Sequence, residues 1–317
     1  MITCRVMAEQ QADDRKWSYS SMRTGRGLGG RVMEAYYLLS SALGGSEAKV
    51  QATVNNVEAT KARVRKNTGV DLKGMHMLDI GPGQQLRHMR AFSADNEVEG
   101  IDMDIIPQEL SIAAYSEMLK RNSVTRVAKT LVRKGIGVDR RFESQLAAKV
   151  GLERFKVLPI HRMDAAAMTF PDAHFDCVYS YSVFEHIDRP EAALAEVKRT
   201  LKPGGIAYIS VHIYSSHSGQ HDPKMLVQDK PEPPLWPHLR DKYKHTVAPS
   251  AYLNKVRFDE WKAMFERVMP GVKWEHERQE YLLDQLKEIK AAGEMGDWSD
   301  EELLTLNFIA IWQKPKS

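Results

Sequence analysis

The spacing of apolar residues changes character near residue 74. Before that point it follows a helical period. Val32, Tyr36, Leu39 and Leu43 step by four, three and four, and Gly44-Gly45 then offers a stop. A second helix is predicted from Ser46 to about Lys66, with Val50, Val54, Val57 and Val64 on one face. After residue 74, short apolar runs alternate with helical patterns. The runs are His76 to Ile80, Val98 to Met103, Phe155 to Ile160, Phe175 to Ser180 and Ile206 to Ile213. The clearest intervening helix is Pro190 to Leu201. Runs of this length bounded by turn signals suit fully buried strands. Their alternation with helices predicts an α/β fold, a doubly wound sheet joined by right-handed crossovers. Val272 to His276 and Leu306 to Gln313 are predicted to form an antiparallel edge pair, which makes the sheet mostly parallel. The second of these follows a capping-box sequence, Ser299-Asp-Glu-Glu302. Trp261, Met264, Phe265 and Val268 mark the core stripe of one more helix.

Composition narrows the class without naming a chemistry. The 317 residues are 43% hydrophobic and 27% charged, within the soluble globular range. The longest near-apolar run, Gly204 to Val211, is far shorter than the roughly 20 residues of a membrane span. The first residues lack a continuous apolar stretch, so no secretory signal is predicted. Two cysteines, Cys4 and Cys177, make no disulfide framework, and a cytoplasmic location is expected. Net charge is only +3, but it is unevenly placed. Lys120 to Lys156 holds eleven Lys/Arg against three Asp/Glu. Strand two should end near Met103 and strand three start near Phe155, so this basic stretch reads as an insertion.

The sharpest local signal is Met77-Leu-Asp-Ile-Gly-Pro-Gly-Gln-Gln85. A strand ends at Ile80 and turns at once through Gly81-Pro82-Gly83, where glycine permits a tight bend and close ligand approach. About twenty residues on, Val98-Glu-Gly-Ile-Asp102 is a strand ending in an acid, suited to accept hydrogen bonds from a ribose. No Lys-Ser/Thr follows the glycines, so a phosphate-transfer loop is disfavoured. Leu86 stands where a dinucleotide loop would want its third glycine. The earlier Gly25-to-Gly30 stretch follows no strand and reads as a flexible loop.

With these residues in view, the sequence resembles the class I S-adenosylmethionine-dependent methyltransferases, of the small-molecule type. The resemblance covers roughly residues 74 to 213 and the final strand. It implies a Rossmann-like sheet and S-adenosyl-L-methionine as cofactor. Asp79, Gly81, Pro82 and Gly83 fall on the family's first motif, with Gln85 in place of its third glycine. Asp102, followed by Met103, falls on the ribose-binding acid. Asp164-Ala165 fits the pair beside the adenine, and the strand-four exit through Ser180 to His186 fits the wall beside the methyl donor. Leu201-Lys-Pro-Gly-Gly205 matches the turn before strand five.

Oxygen is the expected acceptor atom, because histidines gather near the crevice. His186, just past strand four, is the leading general base, and His217 is a second catalytic candidate. His212, His217 and His221, with Glu185 and His186, would make a metal set of unrecognised spacing, so no metal is assigned and substrate contact is the favoured reading. Residues 214–256, with six of the fourteen prolines and Trp236, are expected to form a substrate lid. The predicted organisation is an N-terminal helical segment, 1–70, and a methyltransferase domain, 71–317, with a basic helical insertion at 105–154. In that insertion Val124, Val127, Ala128, Leu131 and Val132 face one way and Arg126, Lys129 and Arg133 the other. The expected partner is a small or medium polyhydroxylated, saccharide-like acceptor that carries or lacks an anionic group. Nucleic acid is disfavoured: aromatics are few in the insertion, and Tyr179-Ser-Tyr-Ser182 replaces the Pro-Pro-aromatic motif of amino-directed enzymes. An RNA-directed methyltransferase and a catalytically silent cofactor-binding module are the rival readings. Transient contact with an anionic membrane also stays open, and oligomeric state is not readable.

Overall fold

Strands expected from apolar runs pair into one seven-stranded sheet in a computed structural model, which describes residues 46–104, 108, 135, 137–222, 234–247, 249 and 251–316. The strands are β1 (His76–Ile80), β2 (Glu97–Asp102), β3 (Ile160–Arg162), β4 (Phe175–Tyr181), β5 (Leu201–His212), β6 (Lys273–Arg278) and β7 (Thr305–Gln313). Their order is β3-β2-β1-β4-β5-β7-β6. The first five run parallel, and β7 lies antiparallel to both β5 and β6. The order of strand addition reverses at β1, with β2 and β3 laid down on one side and β4 and β5 on the other, so connections wind onto both faces. That reversal leaves a crevice at the carboxyl edge.

Alternation along each strand divides the core in two. Leu78 and Ile80 of β1, Val178 of β4 and Ile209 of β5 face the helices α4 (Pro190–Thr200) and α5 (Phe258–Val268). Met77, Cys177, Tyr179 and Tyr208 face the other way, against α1 (Ser46–Thr68), α2 (Arg87–Phe92) and α3 (Val138–Lys149). Each fully buried aliphatic or aromatic side chain stabilises the fold by roughly 1.5–3 kcal/mol. The predicted Ser46 helix is therefore present, two residues longer, with Val50, Val57 and Val64 buried against the sheet. Polar bonds add to this packing. Thr60 Oγ1 meets Tyr181 Oη at 2.6 Å, and Arg63 donates to Glu275, Glu277 and Tyr208.

Several boundaries differ from expectation for local reasons. Phe155 to Pro159 does not pair as a strand; β3 starts at Ile160, after a proline that cannot donate to a ladder, and all three of its residues are only half-buried. At β5, Leu201 pairs with Phe175, yet Ile206 pairs with Cys177, so residues 202–205 loop out and Gly204 takes φ +80°. The Ser299 cap forms, but Glu302 turns its carboxylate to Arg257 and so makes only half a capping box. Of the basic insertion, the described part contains α3, which packs on α1 through Phe142 and Leu146. The Val124–Val132 face, the Val32 helix, the Gly25 loop and most of the proline stretch lie outside the described residues. Trp236, from the stretch expected to form a lid, is fully buried among Leu282, Leu286, Leu303 and Leu304. No helix among the described residues is long and apolar enough to cross a membrane.

Candidate functional site

The glycine bend is held by strand pairing and by contact. The Gly81 N–H donates to Ile101 O at 2.8 Å, which seats the bend on the end of β2. Gly81 and Gly83 take φ +74° and +66°, a region that side chains disfavour. A Cβ at Gly81 would lie 2.5 Å from Val183, so the exit of β4 presses directly on the bend. Pro82 in turn covers Gly100 of β2. Gln85 keeps its side chain on Asp139 of α3, and Leu86 adopts the left-handed conformation before α2 starts.

Three acids predicted to meet the donor sit on neighbouring strand ends. Asp79 lies at the end of β1, one residue before Ile80, which pairs with Ile101; Asp102 ends β2 opposite Arg162 of β3. Asp79 is buried, and its carboxyl is pushed up to about 8 by lost hydration and by the charge of Asp102, with the Tyr179 hydroxyl opposing. Asp102 Oδ1 accepts the Asp104 N–H at 2.8 Å. Asp164 accepts from Ala166 N and receives Arg189 at 2.7 Å, which orients it at the loop after β3. Ala165 is packed in the core beside it, and the Met103 carbonyl accepts from Arg162. Ser180, expected beside the donor, is buried, and its hydroxyl donates to Ile80 O at 2.9 Å, which ties β1 to β4.

The histidines collect where β4 and β5 end. His186 closes a one-turn 3-10 helix (Phe184–His186), and Asn254 pins that turn through Phe184 O and Ile187 O. The His186 Nδ1 lies 2.7 Å from Tyr252 O. A carbonyl can only accept, so Nδ1 carries the hydrogen and Nε2 is the basic nitrogen. Burial lowers its pKa, partly offset by Tyr252. The His186 and His221 rings are 4.9 Å apart, and those of His212 and His221 are 4.7 Å apart. Burial and mutual repulsion push His212 to about 4 and His221 to about 3. His217 is held by Gln279 at 2.7 Å, and its pKa is also lowered by burial. At neutral pH this is a nest of uncharged imidazoles.

A cleft of about 210 Å³ opens between α1, the start of α2 and the strands β4 to β7, and its Asn307 pairs with His212 across β5 and β7. Asn56, Arg63, Arg87 and His88 line one side; Tyr181, Tyr208 and Asn307 line the other. His88 stacks on Tyr181 with ring centroids 4.0 Å apart. Sequence reasoning missed this wall because α1 and β4 meet across more than a hundred residues. A wider groove of about 570 Å³ lies at the amino edge, around Gly74 to His76, away from the glycine bend and the histidines.

Comparisons place the chain among known proteins. A family model described as a methyltransferase domain matches residues 119–209. No curated protein matches. Among solved structures, a Haemonchus contortus phosphoethanolamine N-methyltransferase 2 in complex with S-adenosyl-L-methionine is 18% identical, with a TM-score of 0.43. That alignment covers 81% of this chain and 52% of the other, so the chain spans about half the length of that enzyme. The YcgJ protein of Bacillus subtilis is 15% identical over 82% of this chain and 100% of its own, with a TM-score of 0.40. The [4+2]-cyclase SpnF is 17% identical over 82% of each chain, with a TM-score of 0.38.

Proposed function

We propose that this chain is a class I S-adenosylmethionine-dependent methyltransferase and that it methylates a hydroxyl of a small or medium polyhydroxylated acceptor; the methyltransferase-domain model over residues 119–209 supports the first half of that reading. The single observation that carries the acceptor atom is His186. Its Nδ1 is committed to Tyr252 O, its Nε2 is the basic nitrogen, and it stands in a turn whose first neighbour, Val183, touches the glycine bend. A neutral imidazole beside the donor site suits removal of a hydroxyl proton.

In the proposed complex Asp102 accepts from the ribose hydroxyls and Asp164 holds the adenine edge. Asp79, which is costly to ionise alone, gains a cationic ligand in the donor's ammonium and sulfonium groups. Lining up oxygen, methyl and sulfur supplies much of the rate, several kcal/mol in favourable cases. Bound S-adenosylmethionine would supply the methyl group, its C–S electron pair staying on the sulfur of the S-adenosylhomocysteine product, and His186 Nε2 would take the proton of the attacking hydroxyl. His217, tied to Gln279, is placed as a contact to the acceptor.

The cleft is polar, lined by Arg63, which is paired with Glu277, by Arg87 and by His88, which burial keeps uncharged. No carboxylate among the described residues pairs with Arg87, which favours an acceptor that carries an anionic group, such as a sugar phosphate or uronate. The proposed compartment is the cytoplasm, on cysteine usage. The test is turnover against a panel of saccharides and their phosphates, run with His186→Ala. The variant should keep its affinity for S-adenosylhomocysteine by calorimetry and lose roughly 10²- to 10⁴-fold in kcat. Turnover near the parent value would remove His186 as the base.

A further inference from the structure

The geometry points to a divalent transition-metal site formed by Glu185, His212 and His221, where β4 and β5 end. One ligand atom from each residue lies within 4.8 Å of those of the other two. Bonds of about 2.1 Å put the ligands of a four- or six-coordinate ion about 3–4 Å apart, so closure needs side-chain shifts on the order of 1 Å. Three separate elements converge to make the cluster: the 3-10 turn after β4, the last residue of β5 and the loop at His221.

The carboxylate is the informative member. Glu185 is 2% exposed, and neither of its oxygens meets a well-aligned hydrogen-bond donor among the described residues. The nearby backbone N–H groups of Glu185 and His212 only partly offset its burial. Leaving a buried carboxylate short of donors costs free energy that a cation between it and two imidazoles would recover. The imidazoles are uncharged, which is the form that binds metal. Outer support is present as well: His212 Nε2 contacts the hydroxyls of Ser216 and Ser218 at 3.0 and 3.1 Å, which orients its ring. His221 is held at φ +49°, an uncommon backbone setting that turns it toward the other two.

A second cluster shows the contrast. His76, Glu99 and His174 also gather within ligand distance, at the amino edge of β1. There the Glu99 oxygens are already engaged by His76 at 2.7 Å and His161 at 2.8 Å, so the carboxylate is satisfied by protein. Only Glu185 is left under-satisfied.

Two imidazoles and one carboxylate suit Mn²⁺, Fe²⁺, Co²⁺ or Zn²⁺ better than Ca²⁺ or Mg²⁺. The role of the ion rests on the proposed O-methylation: bound to the acceptor oxygen, it makes the hydroxyl more acidic and fixes neighbouring hydroxyls before His186 takes the proton.

The test uses the full chain stripped with a chelator and titrated with CoCl₂, MnCl₂ or ZnCl₂ alone. Calorimetry should give one equivalent per chain, and cobalt should develop a visible absorption band. Glu185→Gln and His221→Asn should each weaken binding at least about 10-fold while the circular dichroism spectrum is retained. Absence of binding by the parent chain at 1 mM metal, or equal affinity in both variants, would overturn the site. S-adenosylhomocysteine binding is measured in parallel without metal. If it persists while metal binding fails, the site is wrong and the methyltransferase reading stands. If metal binds and S-adenosylhomocysteine does not, the reverse holds.

Discussion

Asp79 is the residue in which the site's electrostatics are most concentrated. Its carboxyl is raised from 3.8 to about 8 by burial first and by Asp102 after that. A raised acid favours the folded state only while protonated. Its contribution is complete below about pH 4 and is lost as pH rises through about 8. Asp79→Asn is therefore expected to raise the melting temperature of the ligand-free protein at pH 9 and leave it nearly unchanged at pH 4. The same variant should bind S-adenosylmethionine more weakly. Thermal melts at both pH values and calorimetry check the two halves. Asp102→Ala removes the proposed ribose acceptor and should cost about 10- to 100-fold in affinity for S-adenosylhomocysteine, since hydrogen bonds to charged groups contribute about 1.5–3 kcal/mol each. An unchanged dissociation constant would remove Asp102 from the site. The placement of these acids was legible in the sequence because Asp102 ends a strand of local pattern and Asp79 lies one residue before the end of another. The grouping of Glu185 with His212 and His221 was not, because it depends on the turn of Phe184–His186 and on a left-handed backbone at His221. The tie from the Ser180 hydroxyl to Ile80 O was hidden for a related reason, since it joins strands a hundred residues apart.

At the level of elements, the exit of β4 and the bend after β1 act as one unit, because Val183 rests on Gly81. Gly81→Ala introduces both a 2.5 Å contact with Val183 and a side chain at φ +74°. We expect a loss of roughly 1–3 kcal/mol in denaturant unfolding together with loss of donor binding. Adding Val183→Ala should relieve the contact but leave the backbone penalty, so recovery should be partial. Full recovery would show that the contact alone matters. Most strands could be read from apolar runs, since β1, β4 and β7 begin and end within about a residue of expectation. β3 could not, because Pro159 stops the ladder short of Phe155. The twist of β5 around Gly204 was hidden as well, since a turn and an extended loop-out share the same Lys-Pro-Gly-Gly residues.

Across the whole molecule, α1 fastens the N-terminal half to the far edge of the sheet. Arg63, Lys66 and Asn67 all reach Glu275, and Arg63 also reaches Glu277 and Tyr208. The cluster is partly solvated, so its net value is modest, about 1 kcal/mol. Arg63→Met should lower the melting temperature by roughly 2–4 °C. It should also weaken binding of an anionic acceptor while sparing S-adenosylhomocysteine. Equal loss for both ligands would mean that the helix supports the donor site too. None of these long-range ties was readable from periodicity, which reports a face but not its partner. The order of the last strands carries a further consequence for biosynthesis. β7 is the final strand in the chain, yet it lies between β5 and β6. Until β7 emerges during synthesis, β5 presents an unpaired hydrophobic edge and β6 has no neighbour, so the nascent chain is expected to be more prone to clumping over that interval.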